Sequence, residues 1–421
     1  VATTVSDRPG YGQLLRTPGA WTFLLPGFAA RQPFAMLTIG IVLLVQHTTG
    51  SYGSAGAVAA VSGVSMALFA PQSGKLADRF GQRAVLVPGV LLHAVSVSAL
   101  TTLALADAPL WALFAAAVPT GASIPQIGPM VRARWAAMLG ATPDRPASPL
   151  MSTAAAFESV TDEFTFVLGP VIATALCTGV HPAAGLITEA ALTLVGGLLF
   201  AAQRATQPAP RAKATAAEPH ASALSVPGVR VLAVTFLGIG AVFGGMQVSL
   251  TAFSEEIGHP GVNGVLYGIF AAGNMLAGIA WKSSPRRRLI VGYVALTLTA
   301  SGLWAVHSVP LLAGLGLLVG LCIAPALISG YTLVEGLVPA TARTEAFTWL
   351  TGAVALGQAA AVTVAGRLAD AHGASTGFLV PLAGTALALM TLLALRSRLT
   401  PTSQGRTVAR GIGHREPVTV D

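Results

Sequence analysis

Charge is what this chain has least of. Only 10% of its 421 residues are Asp, Glu, Lys or Arg, against roughly 25% in a soluble globular domain. That shortage excludes a water-facing surface over most of its length. Cysteine is scarce as well. Cys177 and Cys322 fall at different expected depths, so neither a disulfide nor a thiolate metal site is expected. No His/Cys/Asp metal spacing, Gly-x-Ser-x-Gly elbow or phosphate-binding loop occurs, which argues against an enzyme and against a bound metal or cofactor. Without a nucleotide site, any driven process should draw on an ion gradient. Lysine is nearly replaced by arginine, three against 21, a bias that hints at a GC-rich bacterial genome.

What fills the chain instead is apolar sequence, 53% of it. A bilayer-crossing helix needs about 20 such residues. The runs predict twelve spans, at 20–46, 54–73, 84–106, 110–130, 150–178, 184–202, 231–253, 262–281, 289–307, 311–334, 346–368 and 377–395. The first run is too long for a signal-peptide core and reads as a retained helix. Pro26, Gly27 and Pro33 are expected to interrupt span 1, and Pro119, Pro125, Gly128 and Pro129 to interrupt span 4.

With both termini cytoplasmic, 22 of the 24 Lys and Arg fall on cytoplasmic segments. The positive-inside rule predicts such asymmetry, and a miscount by one span would scramble it. The six Trp fall near span ends, where the ring prefers the headgroup region. The net charge of +8 is spread over seven segments, so anionic lipid is a simpler partner than nucleic acid. A polar Ala- and Pro-rich break divides the chain. Residues 1–202 form a first six-helix bundle, 203–228 a cytoplasmic linker, 229–396 a second bundle and 397–421 a cytoplasmic tail.

The most specific stretch lies between spans 2 and 3: Gly74-Lys75-Leu76-Ala77-Asp78-Arg79-Phe80-Gly81, then Gln82-Arg83. Its charges cannot rest in hydrocarbon, and it is too short to cross a bilayer, so it must turn on one face. This Gly-x-Leu-Ala-Asp-Arg-x-Gly-x-Arg order resembles the signature of the major facilitator superfamily, and the six-plus-six layout extends the resemblance over nearly the whole chain. The chain looks like drug- or metabolite-exporting bacterial members of actinobacterial type. The resemblance implies an all-α membrane fold of two pseudo-symmetric six-helix bundles built from inverted three-helix repeats. It also implies a gate latch at the loop. Gly74 would allow close approach of spans 2 and 11, while Asp78 with Arg79, Gly81 and Arg83 would favour an outward-open state. A topology anchor is the plainer alternative. An echo, Gly366-Arg367-Leu368-Ala369-Asp370-Ala371-His372-Gly373, closes span 11 on the opposite face, as inverted repeats would place it. Two antiporter features are missing. Span 4 has no charge before Arg132, and Gly169-Pro170 in span 5 lacks its following glycines.

Charges at membrane depth are functional candidates by default, each costing roughly 2.5–3.5 kcal/mol to insert. Arg31 and Asp162 both fall about 16 Å from the cytoplasmic side, at 1.5 Å per residue. Glu163 adjoins Asp162, and Glu158 lies one turn below it. One Arg cannot neutralise three carboxylates, so Glu158, Asp162 and Glu163 are candidates to carry a coupling proton, with Arg31 competing for the carboxylate or touching substrate. A static pair pinning span 1 to span 5 is the alternative. Since spans 1, 4, 7 and 10 line the cavity in this family, Gln126, Gln247 and Tyr331 are candidate substrate contacts, ahead of Asn274 and Gln358. Glu335 and Arg343 are a candidate inner latch, and Glu189 a packing residue. The expected function is proton-antiport export of small amphipathic organic molecules by a monomer in a bacterial plasma membrane. The alternative is proton symport or uniport importing a sugar or small metabolite.

Overall fold

The structure is a computed structural model that describes residues 10–139, 148, 150–209, 223–276, 284–338 and 343–399. The side chains of Asp78, Glu163, Glu335 and Arg343 lie outside that description, as do most of the linker and the tail beyond residue 399.

The described residues are helical almost throughout. Ten helices are long and apolar enough to cross a membrane. Spans 1–3 are Ala20–Thr49, Tyr52–Phe80 and Gln82–Leu105. Span 4 is Leu110–Ala122 followed by Ile127–Leu139. Spans 5–7 are Leu150–Gly179, Ala184–Ala202 and Pro227–Glu256. Spans 10 and 11 are Val309–Leu337 and Arg343–His372, and span 12 is Ala374–Ala394. Between them Val262–Leu276 occupies the eighth place. Pro285–Leu303, whose first turn carries Arg286, Arg287 and Arg288, occupies the ninth.

Packing repeats with an offset of six. Span 1 lies against spans 5 and 6, span 3 against spans 4 and 6, and span 2 against span 4. Likewise span 7 lies against spans 11 and 12, span 9 against spans 10 and 12, and span 8 against span 10. The halves meet through spans 2 and 11 and through spans 5 and 8. Their shared apolar core joins Val248, Val362 and Ala365 of the second half to Ile41, Val58 and Leu100 of the first.

Three local expectations need correction. Span 1 runs unbroken through Pro26 and Pro33. Each proline forfeits only one ladder bond, and spans 2, 5 and 6 hold the helix on its flanks. The stretch from Gly74 is not a loop either, since helix continues to Phe80 and Gly81 alone, at φ 89°, turns the chain into span 3. Only glycine takes that angle freely.

Span 4 is the opposite case, a real break. Ile124 precedes Pro125 and is steered out of helix, while Pro125 and Pro129 lack the N–H that would continue the ladder. Helix resumes at Ile127 and runs nine residues past its expected end. Just before the break, a Cβ on Gly121 would lie 1.8 Å from the carbonyl oxygen of Ser62 in span 2. Backbone cannot yield there, so Gly121→Ala should lose the monodisperse peak in size-exclusion chromatography, overpacking costing about 1–3 kcal/mol or more. A variant as stable as the parent would show that this crossing is looser than described.

Candidate functional site

Four charged side chains converge where span 1, span 5 and the second half of span 4 meet. Arg31 makes an ion pair with Glu158, and its Nη1 lies 3.1 Å from Asp162 Oδ1. Glu158 and Asp162 stand one turn apart on span 5 and so share a face. Arg132 pairs with the other oxygen of Asp162. Trp135, one turn beyond Arg132, donates its indole N–H to Glu158 at 2.8 Å, and its ring packs edge-on against Phe23 at 5.1 Å.

Burial is graded across the group. Arg31 and Glu158 have side chains 6% and 1% exposed, Asp162 28% and Arg132 44%. Two cations thus match two carboxylates among the described side chains. Arg132, which sequence reasoning had left at the end of span 4, joins Arg31 as a second cation; Glu163, the third carboxylate of the expected excess, lies outside the described side chains. All four carboxylate oxygens are engaged, whereas Nε of Arg31 is buried without a partner. Gly128 lies directly against the group. A Cβ there would lie 3.6 Å from Arg132 Nη1 and from Asp162 Oδ1. Above Arg31 and Glu158 opens a cavity of about 310 Å³ walled by Trp21, Leu25, Phe28, Phe157 and Phe164.

A second pair lies in the layer behind. His93 of span 3 and Glu189 of span 6 are both wholly buried, with Nε2 and Oε1 2.8 Å apart. Thr193 donates to the same Oε1 at 3.3 Å. Nδ1 of His93 lies 2.9 Å from the Thr120 carbonyl, an oxygen that the break in span 4 releases, because Ile124 N–H turns to Gly121 instead. A carbonyl only accepts, so Nδ1 carries a proton, and the contact with Glu189 is a hydrogen bond only with a second proton between the two. The pair is net neutral wherever that proton sits. Glu189 was expected to be a packing residue; His93 was overlooked. Its signal was a titratable side chain midway along span 3, the same signal that singled out Asp162.

Other candidates are scattered. Gln126 sits in the span 4 break and donates to the Ile124 carbonyl at 3.2 Å. Gln247 is buried and accepts from Gln358 at 3.5 Å. Tyr331 lies between Phe236 and Phe347 at 5.1 and 5.6 Å, its hydroxyl 3.2 Å from Thr351. Arg134, wholly buried, donates to Gln82, Thr206 and the carbonyls of Phe200 and Gln203, and so caps the end of span 6. At the signature stretch, a Cβ on Gly74 would meet nothing within 4 Å. The guanidinium of Arg79 stacks 5.0 Å over Phe80, and Arg83 is exposed.

The opposite face is where the halves are clasped. Asp370, in the echo that ends span 11, accepts from Ser51 Oγ at 2.7 Å and from the N–H groups of Tyr52 and Gly53 at 2.8 and 2.7 Å. These are among the donors that open span 2, so the carboxylate caps that helix. Backbones approach closely beside it. A Cβ on Gly366 would lie 2.3 Å from the Tyr52 carbonyl, and one on Gly56 2.5 Å from that of Val362. Gln46 reaches Glu255 at 3.3 Å and Asn263 reaches Thr174 at 3.4 Å on the same side.

Two six-helix halves, clasped at one face and with buried charge pairs inside the first, define a polytopic membrane protein. Residues 24–304 match the family described as Major Facilitator Superfamily, and the chain belongs to it. Among solved structures it resembles the nucleoside transporter NupG, with 14% identity and TM-score 0.67 over 92% of this chain and all of that one. It also resembles the POT family transporter PepTSo, at 12% identity and TM-score 0.62 over 90% and 98% of the two chains. The human organic anion transporter MFSD10 aligns at 17% identity and TM-score 0.57 over the same shares. A comparison with curated protein sequences gives no match.

Proposed function

We propose that this protein is a monomeric secondary active transporter in a bacterial plasma membrane that exports small amphipathic organic molecules by proton antiport. Residues 1–202 and 229–396 are its two rocking bundles, joined by a cytoplasmic linker at 203–228 and followed by a cytoplasmic tail at 397–421. The observation that carries this reading is the apolar, aromatic-walled cavity lined by Arg31 and Glu158, with Asp162 paired to the same Arg31. Ionisable groups at such depth are costly and mark pathways. With both termini cytoplasmic, the Asp370 clasp closes the outer side and the site opens inward. The stretch from Gly74 to Arg83, with Asp78, Arg79 and Gly81, would then latch the inner side in the other half of the cycle, alongside Glu335 and Arg343. Gln126, Gln247 and Tyr331 are the polar contacts offered to substrate.

Asp162, the partly exposed carboxylate held by two arginines, and its neighbour Glu163 are the proposed carriers of the coupling proton. Asp162→Asn and Glu163→Gln are expected to lower uptake of amphipathic probes into proteoliposomes under an imposed pH gradient at least tenfold, with exchange at equilibrium retained. If both variants keep gradient-driven movement, the coupling assignment is wrong.

One observation favours the alternative of symport or uniport. Among the described side chains of the group, every carboxylate oxygen has a partner while Arg31 Nε has none. A ligand that drew Arg132 away would leave Asp162 short of a partner and readier to take a proton, so ligand and proton would bind together. Reversing the pH gradient separates the two: antiport and symport move the probe in opposite directions, and uniport ignores the reversal.

A further inference from the structure

We infer that the molecule carried is an organic anion, its carboxylate-type head held by Arg31 Nε and Arg132 and its apolar body lying between spans 1 and 5. This rests on the transporter reading above, though on neither direction of movement. Three observations lead to it.

The first is unspent hydrogen-bonding capacity. Glu158 and Asp162 use every oxygen, on Arg31, Arg132 and Trp135. Two guanidiniums offer ten N–H bonds between them, five each, and only a few are used. Arg31 Nε is unpartnered although its residue is 5% exposed. A buried donor left alone is unfavourable, and an incoming acceptor relieves it. Among the described side chains, a cationic ligand meets carboxylate oxygens already engaged and must compete with two arginines for Asp162.

Space is the second. Gly128 has no side chain, and a Cβ there would stand 4.0 Å from Arg31 Nε and 3.6 Å from Arg132 Nη1. Arg31 Nε and Arg132 Nη1 therefore flank the same point beside Gly128, and Arg31 also lines the cavity. Charge-assisted contacts from two guanidiniums suit a planar two-oxygen head.

The third is the wall. Trp21, Phe28, Phe157 and Phe164 bound the cavity, and its volume of about 310 Å³ sits at the lower end of the usual range for small-molecule sites. A single aromatic ring with a short aliphatic tether fits that size; a large polycyclic molecule does not.

The test is equilibrium binding to the full chain in detergent, read by tryptophan fluorescence, since Trp21 lines the cavity. Three probes share one skeleton and differ only at the head: 4-phenylbutyrate, 4-phenylbutyramide and 4-phenylbutylammonium. The carboxylate is expected to bind about tenfold more tightly than the amide, with the ammonium weakest. Arg132→Gln, at a partly exposed position that leaves Arg31 on Glu158, should erase the advantage of carboxylate over amide while the amide affinity holds. Arg132→Lys should restore part of it. Equal or tighter binding of the ammonium, or an unchanged carboxylate preference in Arg132→Gln, overturns the inference. Neither outcome touches the transporter reading, which fails separately if no bound probe crosses a proteoliposome membrane.

Discussion

Arg31→Gln is expected to cost the protein on the order of 3–5 kcal/mol, the scale of breaking a buried ion pair from one side. Glutamine cannot neutralise Glu158, which would keep only the Trp135 N–H at 2.8 Å, inside a wall of apolar side chains. Asp162 would retain Arg132 and suffer less. A marked fall in the thermal unfolding midpoint in detergent should follow. Adding Glu158→Gln to the same chain should recover most of the loss, because both buried charges are then gone. That rescue is the informative part, since residues in direct contact are the ones whose effects fail to add. If the double variant is as unstable as the sum of the singles, the two residues are not energetically joined and the description of the site is wrong.

A second effect is expected at the other face, on conformation and not on stability. Asp370→Asn weakens three hydrogen bonds to the start of span 2 and removes the negative charge that complements the helix dipole there. A shift of about 1.4 kcal/mol or more towards the state open at that face is reasonable for charge-assisted bonds, and it changes the population ratio about tenfold. Spin labels placed beyond the clasp on spans 2 and 11, with Cys177 and Cys322 replaced by Ser, should show a new longer distance by electron–electron resonance. Asp370→Glu should show less of it. An unaltered distance distribution in Asp370→Asn would mean that the close backbone crossings at Gly56 and Gly366 hold this face by themselves.

Which features were legible beforehand follows from their physics. Hydrophobic run length placed nearly every span to within a few residues, since burial in lipid acts on each run alone. Depth arithmetic along spans 1 and 5 put Arg31 level with Asp162, and the two are in contact. Arg132 was not recognised because its role depends on helix resuming after Pro125, and a run of apolar residues says nothing about resumption. His93 shows the converse: its depth was readable from span 3 alone, but its partner sits on span 6 and its acceptor on span 4. No linear pattern relates those three positions. The prolines show why sequence signals differ in strength. Pro26 and Pro33 yield to packing, whereas Ile124 before Pro125, with Pro129 four residues on, leaves the break in place.

That gap in span 4 gives the helix a swivel. Toward Gly121 it is bolted to Ser62 by contact between backbones; beyond Gln126 it carries Arg132, Arg134 and Trp135 into a polar lattice with spans 3, 5 and 6. The two segments therefore need not travel as one rod.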